Sequence, residues 1–127
     1  MKLIIPEGNR KGGGHYSPGV ISNGMLYISG QLPLDPDSGV TIAGDVSAHA
    51  LRALLNVERV LKVAGLTKEN VVMCRVYIPD VSLWDKVNTV YADFFGDHRP
   101  ARVVVPSREL HGGALVEVEA MAELEIT

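Results

Sequence analysis

Strict alternation of apolar and polar residues is clearest over the last quarter of the chain. Along Arg99-Pro100-Ala101-Arg102-Val103-Val104-Val105-Pro106, residues Ala101, Val103 and Val105 fall on one side and Arg102 and Val104 on the other. From Gly113 onward, Ala114, Val116, Val118, Ala120, Ala122, Leu124 and Ile126 form one apolar line, with Glu117, Glu119, Glu123 and Glu125 opposite. Period-two alternation of β-branched residues fits a pleated, half-buried surface, so both stretches are predicted as strands. Near the start, Leu3-Ile4-Ile5 is a short strand closed by Pro6, and Asn9–Gly14 is a glycine-rich turn. Val20-Ile21, Asn23-Gly24 and Met25–Ser29 read as a two-residue hairpin. The returning strand ends at Ser29-Gly30, where a missing side chain allows close approach to the backbone. Val71–Ile78 is almost wholly apolar apart from Arg75, as for a central strand buried on both faces.

Two stretches have helical period instead. Asp45 is a natural N-cap for a helix whose buried stripe includes Ala50, Leu54, Val57 and Leu61, and Gly65 is its expected stop. A second helix is predicted over about Ser82–Phe95, burying Leu83, Trp84, Val87, Val90, Tyr91, Phe94 and Phe95, with Gly96 beyond it. Asn88 lies beside that stripe and needs a polar partner, either a loop it caps or a ligand. The order is thus three strands, helix, strand, helix, two strands. It predicts an α+β two-layer sandwich, a mixed β-sheet with both helices on one face. The other sheet face has no layer of its own, and self-association would cover it.

With 127 residues, 46% of them hydrophobic and 21% charged, the chain is expected to be a single domain, 1–127, with a real core. A net charge of −3 and a lone basic pair, Arg10-Lys11, give no platform for nucleic acid. No apolar run is long enough for a membrane span or a signal peptide, and the single cysteine, Cys74, suits a reducing compartment. The expectation is a cytoplasmic protein without membrane or nucleic-acid partners. Cys74 lies in the predicted central strand without a nearby basic group, which marks it as a core residue rather than a nucleophile. The triple glycine lacks phosphate-loop spacing and a following helix.

Two features carry candidate chemistry. Arg102 sits among valines on a stiff element, and a ladder of carboxylates lies on the next strand. They read either as an edge charge and a solvated face, or as a guanidinium for a carboxylate substrate with one glutamate nearby for proton transfer. Spacing alone leaves both readings open.

Four separated motifs in order, Tyr27–Pro33, the Asn88 helix ending Tyr91-Ala92-Asp93-Phe94-Phe95, Pro100-Ala101-Arg102 and Gly113–Ala120, resemble the RidA/YjgF family of reactive-intermediate deaminases, also described as L-PSP endoribonucleases. The resemblance implies a Bacillus chorismate mutase-like fold and a homotrimer with three clefts between subunits. It implies hydrolysis of reactive 2-imino acids or their enamines, such as 2-aminoacrylate, to 2-oxo acids and ammonia, as in 2-iminobutanoate/2-iminopropanoate deaminases. No metal or cofactor is implied, since the imine carbon is already electrophilic. Carried over, Arg102 would grip the substrate carboxylate with a bidentate fork and Glu119 would orient or activate water. Ser29 and Gly30 would line the cleft, Tyr16 would be an aromatic lid, and Asn88 would brace the site. Many members carry cysteine two residues after the arginine; here that residue is Val104, which can serve only through its backbone and packing. The usual Gly-Pro-Tyr before the lid is Gly14-His15-Tyr16. Two other functions stay in play: a non-catalytic binder of small carboxylates, and a ribonuclease, against which the acidic balance argues.

Overall fold

The computed structural model describes residues 1–8 and 14–126, so most of the predicted Asn9–Gly14 turn and the Arg10-Lys11 pair lie outside the described residues. Six strands form one sheet: β1 (Lys2–Ile4), β2 (Gly19–Ser22), β3 (Met25–Gln31), β4 (Val71–Ile78), β5 (Ala101–Pro106) and β6 (Glu117–Glu123). Their order across the sheet is β1-β2-β3-β6-β4-β5, with β4 and β5 parallel and every other pair antiparallel. The Asn23-Gly24 turn forms as predicted, both residues having positive φ. Helices α1 (Val46–Val63) and α2 (Trp84–Phe95) share one buried cluster on one sheet face, giving the expected α+β sandwich. None of the described helices is long and apolar enough to cross a membrane.

Local chemistry sets the helix ends. Asp45 accepts the Ala48 N–H at 3.0 Å, and Gly65, with φ 77°, turns the chain out of α1. Before α2, a 3-10 turn over Val81–Leu83 is capped by Asp80, which accepts the Ser82 N–H. The second helix therefore begins at Trp84 rather than Ser82. Trp84, expected in the buried stripe, is 36% exposed, because it occupies the first turn and lies beside Arg102.

Two further expectations change. Strand β4 is buried on one face only: Cys74, Val76 and Ile78 pack under the helices, while Met73, Arg75 and Tyr77 are half-buried on the open face. The last strand begins at Glu117, not Gly113, since a 3-10 turn over His111–Gly113 precedes it. What holds that turn is buried His49 of α1, whose Nδ1 accepts the Leu115 N–H at 3.1 Å while Nε2 bonds the Ile42 carbonyl at 3.0 Å. One histidine thus ties two loops to α1.

Candidate functional site

Register decides which side chains share a face. Arg102 pairs with Cys74, and Cys74 with Ala120; this row points to the helices, where Cys74 and Ala120 are buried. The next row, Val103, Arg75 and Glu119, points to the open face. Because side chains alternate along a strand, Arg102 and Glu119 of one chain lie on opposite sides of the sheet. They do not form one site within a subunit.

Arg102 is held from three directions. One guanidinium nitrogen donates to Asn88 Oδ1 at 2.9 Å, and the guanidinium carbon lies 4.8 Å from the Tyr91 ring centroid and 5.4 Å from that of Trp84. Asn88, Trp84 and Tyr91 all come from α2, spaced so that one helix face presents an amide and two rings to the strand. Among the described residues Arg102 has no ion-pair partner. It borders a cavity of about 490 Å³ that Asn88, Tyr91, His98, Arg99 and Pro100 also line. The amide of Asn88 thus faces Arg102 rather than capping a loop.

Val104 points to the same face as Arg102 and packs against the helical core. Beneath the arginine, burial pushes the Cys74 thiol up to about 11, which keeps it protonated near neutral pH. The Tyr91 hydroxyl is buried with the Cys74 thiol as the polar group beside it, and burial raises its pKa as well.

The remaining predicted residues gather elsewhere. Ser29 donates its hydroxyl to the Ser17 carbonyl at 2.7 Å, and its N–H bonds the Pro18 carbonyl at 3.0 Å. Ser29 thus ties down the segment carrying Tyr16, which is exposed. Tyr16 and Gly30 line a second cavity of about 200 Å³ with Gln31, Leu34, Asn56 and Arg59. Buried Asn56 fixes its wall, donating to the carbonyls of Leu32 and Leu34 at 2.9 Å each and accepting from Arg52. Nothing in the helical period of α1 singled out Asn56; a polar residue at a core position was the available signal.

Of the glutamate ladder, Glu117 rather than Glu119 belongs beside Gly30. A β-bulge falls between Ile28 and Gln31, and a methyl group added at Gly30 would lie 2.6 Å from Glu117 Oε2. The carboxylate occupies the space the missing side chain leaves. Burial, then the charge of Glu119, raise the Glu117 pKa, with His111 acting in the opposite sense. Glu119 is engaged otherwise: it accepts a 2.5 Å hydrogen bond from the Tyr77 hydroxyl and lies 3.5 Å from Arg75. That bond is the main reason the Tyr77 pKa is raised. Arg102 and Asn88 border one cavity, Gly30 and Tyr16 border another, and Glu117 lies against Gly30.

A family model described as endoribonuclease L-PSP matches residues 9–124. A RutC family protein of Pyrococcus horikoshii is 36% identical over 124 residues, covering 98% of each chain. The YjgF gene product of E. coli superposes with a TM-score of 0.90 at 33% identity, covering 98% of this chain and all of that one. E. coli TdcF with bound serine superposes with a TM-score of 0.89 at 32% identity, covering 97% of this chain and 98% of that one.

Proposed function

The chain belongs to the RidA/YjgF family of L-PSP-type proteins, and from that premise we propose that it hydrolyses 2-imino acids and their enamine tautomers to 2-oxo acids and ammonia. The observation that carries this reading is Arg102, a guanidinium with no ion-pair partner among the described residues, fixed by Asn88 and two rings at the wall of a cavity. Its remaining N–H groups offer a planar fork to a substrate carboxylate, which would place the adjacent imine carbon at a set distance. Asn88 positions the fork, so that little orientational freedom is lost when the acid binds.

Proton transfer falls to Glu117 in this reading, in place of Glu119. A carboxyl group with a raised pKa is suited to take a proton from water and return it to nitrogen. Water oxygen adds to the imine carbon, the proton passes through Glu117 to the amino nitrogen, and the carbon–nitrogen bond breaks. Ammonia leaves, and the former water oxygen becomes the oxo group. The imine carbon is electrophilic from the start, so this sequence is balanced without a redox partner. Arg102 and Glu117 would meet across a cleft between two copies of the chain.

A second reading is a carrier of small carboxylates without turnover. The structural relative with bound serine favours it, because serine offers the same α-carboxylate to such a site. One set of measurements separates the two. A coupled assay generating 2-aminoacrylate should show faster pyruvate and ammonia release with the protein present. Arg102→Ala should abolish both that acceleration and the binding of 2-oxobutanoate measured by calorimetry, a loss of about 2–4 kcal/mol for a partly desolvated bidentate contact. Arg102→Lys should restore little, since a point charge does not replace the fork. Binding of 2-oxobutanoate with no acceleration would assign the protein to the carrier class.

A further inference from the structure

The cavity beside Arg102 holds more positive charge than one carboxylate requires. Its wall includes both Arg102 and Arg99 and, among the described residues, not one acidic side chain. That is a pronounced local departure in a chain with 15 acidic and 12 basic residues. Arg99, like Arg102, has no ion-pair partner among the described residues. The two arginines play different parts. Arg102 is half-buried and braced, whereas Arg99 is exposed at the rim. Pro100 restricts the backbone of Arg99 to extended conformations, so its side chain leaves from a stiff point. Three residues of extended chain span at most about 10 Å, a separation that two long arginine side chains can narrow to grip both ends of one small ligand.

Size agrees with charge. At about 490 Å³ the cavity falls within the range of sites for ligands much larger than a three-carbon acid. A monocarboxylate on Arg102 would leave Arg99 facing open water and much of the cavity empty.

We infer that the preferred substrate carries a second anionic group: a four- or five-carbon 2-imino dicarboxylate, its α-carboxylate on Arg102 and its distal carboxylate on Arg99. This rests on the imine-hydrolysis reading above and names its substrate class. The reaction is unchanged: water oxygen becomes the oxo group and nitrogen leaves as ammonia. Arg99 acts on selectivity alone, because the distal carboxylate is remote from the reacting carbon.

The test generates 2-iminosuccinate, 2-iminoglutarate and 2-iminobutanoate in turn with an amino acid oxidase, and compares their hydrolysis by the protein and by Arg99→Ala. Expected is a higher kcat/KM for the two dicarboxylates. In Arg99→Ala that preference should shrink roughly tenfold, the size of one partly solvated charge pair in discrimination, and Arg99→Lys should keep part of it. An unchanged ratio between substrate classes in Arg99→Ala would overturn the inference, as would a native preference for 2-iminobutanoate. Calorimetry keeps the inference separate from the chemistry. If no imine is hydrolysed, the deaminase reading fails, and tighter binding of 2-oxoglutarate than of 2-oxobutanoate, lost in Arg99→Ala, still supports the diacid site. Equal binding of the two acids overturns it.

Discussion

Burial and the charge of Glu119 raise the Glu117 pKa above its ordinary 4.5, so its carboxyl is harder to ionise in the folded chain than in the unfolded one. The folded state holds this proton more tightly. Its contribution to stability is complete below about pH 4.5, the unfolded value, and is lost as pH rises through the folded value. Glu117→Gln should therefore be no less stable than the parent at pH 7, and should gain relative to it between pH 4 and 7 in urea unfolding. Imine hydrolysis should nonetheless fall roughly 10²–10⁴-fold, as for loss of a general acid–base group. A variant that lost stability at pH 7 along with activity would mark Glu117 as structural. Glu119→Gln can still accept the Tyr77 hydroxyl, and by removing a nearby negative charge it should shift the acid limb of the rate profile to lower pH. At this scale Arg102 was legible, since a lone arginine among valines stands out. For the carboxylate the resemblance pointed to Glu119, and the strand pattern could not separate it from Glu117, because both share one face. What separates them is the space above Gly30, on another strand, and the bulge that sets its register.

Elements whose signals are local were read directly from the chain. The Asp45 cap, the Asn23-Gly24 turn and the extent of β4 each depend on a few adjacent residues. The order β3-β6-β4-β5 depends on pairings between residues far apart, and no short pattern encodes it. The spacing between helix and sheet is equally hidden. At Gly19 of β2, an added methyl group would lie 2.7 Å from Val60 Cγ1 of α1 and 3.2 Å from both Ile4 and Leu26. No sequence pattern singled out Gly19, and its φ is not in the left-handed region, so the requirement is space rather than conformation. Val60 is β-branched and fully packed, and it has little freedom to yield. Gly19→Ala should thus cost about 1–3 kcal/mol by overpacking, visible as a lower urea midpoint with an unchanged slope. An unaltered midpoint would show that α1 can lift from the sheet at no cost.

For the whole molecule, the proposed reaction has to reckon with the two groups it uses lying apart in one chain. Arg102 faces the helices at one sheet edge and borders one cavity, whereas Glu117 lies against Gly30, which lines another. The open sheet face meanwhile leaves Leu3 49%, Tyr27 43% and Val103 41% exposed, which favours covering it with protein. A cyclic homotrimer satisfies both needs, because a heterologous interface brings one surface of each copy against a different surface of the next. Light scattering should then give three times the chain mass, and a monomer at micromolar concentration would refute it. Mixed oligomers test the site itself. Arg102→Ala and Glu117→Gln should each be inactive alone. Refolded together in equal amounts, they should recover activity in about a quarter of the clefts, those pairing an intact Arg102 with an intact Glu117 from the neighbouring copy. If one subunit supplied both residues, every cleft in the mixture would lack one of them and no activity would return.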